Sequence, residues 1–300
     1  MDESPWVSAH IFHQGDTDQL ILGVLGPLTA RLRDTGLSDA DFFLRYWEGG
    51  PHVRLRVSVP AVENRGPVRT AISTACDAWF RDHPSVPYLD QEQYTRQAGV
   101  LAAREGMTAH ATRLYPNDSV RFIPYRREYR RYGTGEHMAA VERHFAESSG
   151  IALSLLEAGA GPEERQTAAY CMLLIAWFTA VESDPTRVEA EGPGNWAEWI
   201  RPEFEGHFDR RRATLISLLR SMRQLALRVG DLPEAGNLAR WAHSVRRLAG
   251  SAPDRARVLD ACAHLLCNRL GVQLDQEGYV RHLAARAMTA TAETPGPEGE

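Results

Sequence analysis

The chain has 300 residues, a formal net charge of −5 and 43% hydrophobic residues, enough for one large soluble globular domain or two smaller ones. Its acidic N-terminus lacks the apolar h-region of a secretory signal, and the longest apolar run, 168–180, is too short to span a bilayer, so a cytoplasmic location is expected. No lysine occurs: all 34 basic residues are arginines, which excludes Schiff-base, pyridoxal-phosphate-anchoring, P-loop and kinase-type lysine chemistry.

In chain order, Trp6 to His13 reads as a strand and Thr17 to Asp34 as a helix, with Leu20, Ile21, Val24, Leu25, Leu28 and Leu32 at helical spacing. Residues 42–59 hold two apolar, aromatic-rich runs around Glu48-Gly49-Gly50-Pro51, the pattern of a β-hairpin. Side chains alternate along its second strand, so His52, Arg54 and Arg56 share one face and Val53, Leu55 and Val57 the other. Helices are expected over Gly66 to Arg81 and Gln91 to Glu105, then a strand over Asp118 to Arg126 that ends near Pro124.

The second half reads as helical: Gly135 to Gly150, Gly161 to Val181, Phe204 to Val229, Asn237 to Leu248, Asp254 to Leu270 and Asp275 to Met288, with a loop-rich stretch over Asp184 to Trp199. The fold class is α+β, an N-terminal mixed α/β sheet layer packed with a helical C-terminal half. Residues 1–134 form the sheet-containing half, 135–289 the helical half of the same domain, and 290–300 a disordered tail.

Three clusters could carry chemistry. The first is the strand face of His52, Arg54 and Arg56, which either grips a carboxylate or phosphate or is a solvated strand face. The second runs from Tyr125 to Glu136 and places Arg126, Arg127, Arg130 and Arg131 among tyrosines where a strand gives way to a helix. It suits an anion or stacked RNA bases, or is a solvated loop. The third surrounds His264 and Asn268, four apart on one helix face beside the apolar stripe of Leu259, Cys262, Ala263, Leu266 and Leu270. There His264 is a general base with an orienting amide nearby, or a satisfied core histidine. Ser148 and Ser149 read as helix-end residues, or as contacts for a substrate carboxylate, and Trp196 and Trp199 as loop-packing aromatics. Cys76, Cys171, Cys262 and Cys267 form no zinc-type spacing and read as reduced core residues. His10 and His13 would face opposite ways from a strand, so no metal site is expected.

The order and spacing of these segments resemble the C-terminal domain of lantibiotic dehydratases and its stand-alone relatives in thiopeptide biosynthesis. The matching stretches are residues 6–12, 43–47 and 50–56, then Tyr125 to Glu128 with Arg131-Tyr132-Gly133, residues 142–149, and His264 with Asn268-Arg269-Leu270-Gly271. The last segment ends one residue short of the family pattern, and Thr134 stands where a second glycine is expected. The resemblance implies a lyase of ribosomal-peptide biosynthesis that eliminates glutamate from glutamylated Ser or Thr of a precursor peptide, giving dehydroalanine or dehydrobutyrine. It implies catalytic roles for His264, Arg54 and Arg56, with His52, Arg45, Arg127, Arg131 and Asn268 binding substrate. It implies no cofactor, no direct nucleic-acid partner and no membrane. Its partners would be the leader and core of the precursor and a separate tRNA-dependent glutamylating enzyme; the oligomeric state stays open, a homodimer included. Two alternatives come with the family: a pyridine synthase performing a formal [4+2] aza-cycloaddition with leader release, and a non-catalytic leader-peptide-binding partner.

Overall fold

The computed structural model describes residues 5–104, 107–181, 203–252 and 254–292. The fold is α+β, and the chain clusters into two compact units, residues 1–127 and 128–300. Each is described by itself.

The first unit is built on an antiparallel sheet of order β2-β3-β1-β4, with β1 Trp6–Phe12, β2 Ala40–Tyr46, β3 His52–Ser58 and β4 Ser119–Phe122. Ala9 lies opposite Leu55 and Phe43 opposite Leu55, so one pleat face gathers Val7, Ala9, Ile11, Phe43, Val53, Leu55 and Val57. Helix α3, Arg65–Asp82, covers this face: its Arg69 guanidinium lies 4.4 Å from the Phe122 ring centroid, and its Val68, Ile72, Cys76 and Phe80 are buried. The alternation that makes one face apolar leaves the other to polar side chains.

The helix expected over 17–34 is interrupted. α1 (Thr17–Leu20) passes into a single wide π turn, Ile21–Leu25, before α2 (Gly26–Asp34) resumes. Pro27 has no N–H to give the Gly23 carbonyl, which removes one ordinary helical bond from this turn. Gly23 also backs onto the Trp79 ring, which a Cβ would meet at 2.2 Å. α4 (Gln91–Arg104) follows as expected, and β4 stops two residues before Pro124.

In the second unit, Tyr129–Tyr132 forms the short helix α5, and Gly133 and Gly135, with φ of 81° and 57°, break the chain before α6 (Glu136–Glu157). α6 runs past the expected end at Gly150. Burial of Ile151, Ala152 and Leu156 continues the apolar stripe and outweighs the roughly 1 kcal/mol that an interior glycine costs. Ser148 and Ser149 are therefore interior helix residues, a correction to their reading as helix ends. α7 (Pro162–Ala180), α8 (Glu203–Arg228), α9 (Gly236–Ser251), α10 (Arg255–Leu270) and α11 (Leu274–Ala292) complete the bundle. Gly271, left-handed at φ 75°, closes α10 and turns the chain into α11. Residues 290–292, expected in the tail, belong to α11; the rest of the tail and the stretch 184–199, with Trp196 and Trp199, lie outside the described residues. No helix among the described residues is long and apolar enough to cross a membrane.

Candidate active site

The polar face of the sheet carries Ser8, His10 and Phe12 of β1, Phe42 and Tyr46 of β2, and His52, Arg54 and Arg56 of β3. The His10 and His52 rings stack with centroids 4.9 Å apart. Burial, helped by the facing His52 ring and the arginines, pushes His10 down to about 2; burial outweighs the Gly50 hydrogen bond and takes His52 to about 3. Both rings are neutral at physiological pH, and the permanent cations of this face are its arginines.

Arg54 is held on three sides. Its Nε donates to His52 Nε2 at 3.2 Å, its Nη2 reaches Glu48 Oε2 at 3.1 Å, and its guanidinium carbon sits 3.5 Å from the Tyr46 ring centroid. An acceptor at Nε2 puts the His52 proton on Nδ1, which donates to the Gly50 carbonyl at 2.8 Å. The turn is itself clasped: Gly49 N–H donates to Tyr94 Oη at 2.8 Å, and Glu48 Oε1 accepts from Ala111 N–H at 3.0 Å. Arg56 is buried, with its guanidinium carbon 5.1 Å from the Tyr125 centroid and 6.0 Å from that of Phe42. Arg45 points to the opposite face, where Thr17 Oγ1 and Asp18 Oδ1 each accept from it at 2.5 Å. Arg127 closes this unit, half-buried.

In the helical unit, His264 of α10 is 31% exposed, and its Nδ1 lies 2.8 Å from Glu277 Oε2 of α11, whose side chain is 2% exposed. Glu277 Oε1 accepts from Arg281 Nε at 2.9 Å; Arg281 Nη1 donates to Asp260 Oδ1 at 2.6 Å, and Trp177 Nε1 donates to the same oxygen at 2.8 Å. Burial alone would raise the Glu277 pKa; His264 and Arg281 outweigh it and hold the carboxyl below its ordinary value. Arg269, fully buried, donates to Ser149 Oγ at 3.0 Å and to Ser148 Oγ at 3.3 Å. Arg131 is half-buried in α5, 3.5 Å from Glu128. Asn268 lies one helical turn beyond His264, as its spacing requires, but the Nδ1 partner of His264 is Glu277. A cleft of about 700 Å³ opens among α7, α8 and α11, lined by Tyr170, Phe204, His207, Arg211 and Tyr279; His264 is not part of its wall.

Sequence reasoning brought His52, Arg54 and Arg56 to one face and missed what surrounds them. His10, considered only as a metal ligand, stacks on His52 because β1 pairs beside β3, a pairing no local pattern specifies. Glu48, read as a turn residue, anchors Arg54. Glu277 was missed because its link to His264 crosses the turn between two helices; the available signal was the i, i+4 pair Glu277–Arg281.

These features define the class: an α+β protein that fixes guanidinium cations on one strand and backs a partly exposed helical histidine with a buried carboxylate. The chain belongs to the lantibiotic biosynthesis dehydratase C-terminal family, which matches residues 6–288. Among solved structures it is similar to the pyridine synthase TbtD from thiomuracin biosynthesis, with TM-score 0.78 and 21% identity over 97% of this chain and 99% of that one. It is also similar to TsrL, with TM-score 0.63 and 17% identity over 96% and 95% of the two chains. The tRNA-dependent lantibiotic dehydratase MibB from Microbispora sp. 107891 matches with TM-score 0.58 and 18% identity over 97% of this chain, which spans 28% of MibB. At these identities the likeness is one of fold. No curated protein matches the chain.

Proposed function

We propose that the protein is a lyase that eliminates glutamate from glutamylated Ser or Thr residues of a precursor peptide, the glutamyl group being installed by a separate tRNA-dependent enzyme. The observation that carries this reading is His264, partly exposed and backed by a buried carboxylate at 2.8 Å. Elimination needs a base for the Cα proton and cations for the charge that develops as the Cβ–O bond breaks. His264 takes the Cα proton; the C–H electrons form the Cα=Cβ bond, and the Cβ–O pair leaves with the glutamate carboxylate. Arg54 and Arg56 hold the glutamyl group and receive that charge, while His52 keeps Arg54 in place. Arg127, Arg131 and Asn268 are assigned to peptide or glutamyl contacts; Arg45, committed to Asp18 and Thr17, is not.

A second reading, the formal [4+2] cyclisation of a dehydrated peptide, draws support from the full-length likeness to the pyridine synthase TbtD. Incubation of the purified protein with glutamylated precursor, followed by mass measurement, separates the two. Loss of glutamate with gain of an alkene is expected, and no change under any condition would overturn the proposal. Cyclisation of an already dehydrated peptide with leader release would establish the second reading, and peptide binding without conversion would leave a leader-binding partner. Within the first reading, His264→Ala should slow elimination by roughly 10²- to 10⁴-fold and Arg54→Ala by roughly 10²- to 10³-fold, the scales of one positioned acid–base group and one charge stabiliser. Near-normal rates in both folded variants would sink the residue assignment.

A further inference from the structure

We infer that Glu277 is the positioning residue for His264, and that Arg281 and Asp260 exist to hold it. The inference rests on the reading of His264 as the acid–base group. A carboxylate only accepts hydrogen bonds, so the 2.8 Å contact places the imidazole proton on Nδ1 and leaves Nε2 as the basic nitrogen. A lone carboxylate as deeply buried as Glu277 would protonate or stay unpaired at a cost of several kcal/mol. Here its second oxygen is taken by Arg281 Nε at 2.9 Å, and Arg281, itself buried, also donates from Nη1 to Asp260 Oδ1 at 2.6 Å. Asp260 is in turn fixed by the Trp177 indole at 2.8 Å. Two carboxylates thus surround one guanidinium. Counted as ions, the buried set carries one negative charge when His264 is neutral and none when His264 is an imidazolium. Cys267, whose thiol is pushed well above its ordinary pKa first by burial and then by Glu277, adds no charge. The arrangement stabilises the protonated imidazole formed when the Cα proton is taken, and it does so without a carboxylate exposed to solvent or substrate.

The full-length protein labelled with ¹⁵N-histidine tests this directly, with the His264 signals assigned from His264→Gln. Wild type should show His264 as the Nδ1–H tautomer, and Glu277→Gln should shift it toward Nε2–H. In the elimination assay Glu277→Gln should lower kcat by roughly 10²- to 10⁴-fold, the scale of a carboxylate that orients a base, with little change in KM, and Glu277→Asp should recover part of the loss. An Nε2–H tautomer in wild type, or unchanged His264 signals in a folded Glu277→Gln, would overturn the inference. If Glu277→Gln does not fold, the wild-type tautomer alone decides. The expected tautomer and shift in a protein that eliminates no glutamate would overturn the functional reading and leave the positioning of His264 standing.

Discussion

His10, His52 and His144 are buried neutral imidazoles, with pKa values pushed to about 2, 3 and 3, in each case first by burial. Below the ordinary histidine value of 6.5 the unfolded chain binds protons at these positions and the folded chain does not. Stability is therefore fully present above pH 6.5 and falls with decreasing pH until about pH 3, each histidine contributing a slope of about 1.4 kcal/mol per pH unit. Denaturant unfolding at several values between pH 7 and pH 4 measures the slope, and His52→Asn should reduce it by one histidine's share. Arg269 makes a second case at this scale. Ser149→Ala removes an acceptor from a fully buried cation and should cost about 1.5–3 kcal/mol, read as a lower denaturation midpoint; an unchanged midpoint would show that Arg269 is satisfied without it.

Among the elements, the hairpin was legible and the helix before it was not. Alternation in residues 52–58 and the Gly49-Gly50-Pro51 turn specified β3 because both are local signals. Pro27 was a local sign of the interruption at 21–25, but the Trp79 ring that packs on Gly23 from α3, and what the last turns of α6 bury, lie outside any window of sequence. The same limit governs the candidate site: the arginine face follows from pleat geometry, whereas the His264–Glu277 pair requires two helices to meet. Gly50 has φ 113°, and a Cβ there would lie 2.7 Å from Leu114 Cδ1. Gly50→Ala should therefore destabilise the fold by about 1–3 kcal/mol, seen in thermal unfolding. Because the Gly50 carbonyl also fixes the His52 tautomer, this variant should weaken the proposed elimination more than its stability loss explains.

For the molecule as a whole, family membership and fold agree over nearly the entire chain. All four cysteines are buried free thiols. Burial raises Cys171 to about 11 and Cys76 and Cys262 to about 12, so thiol reagents should titrate none of them in the native protein and all four after unfolding. One reactive thiol under native conditions would show local opening of its helix. The stacked His10–His52 pair has a kinetic consequence as well. Arginines stay protonated at any pH the fold tolerates, and these two imidazoles have no ionisation left to undergo above about pH 4. The strand face is thus a silent background to titration: a pH–rate profile collected in the neutral range contains no signal from it.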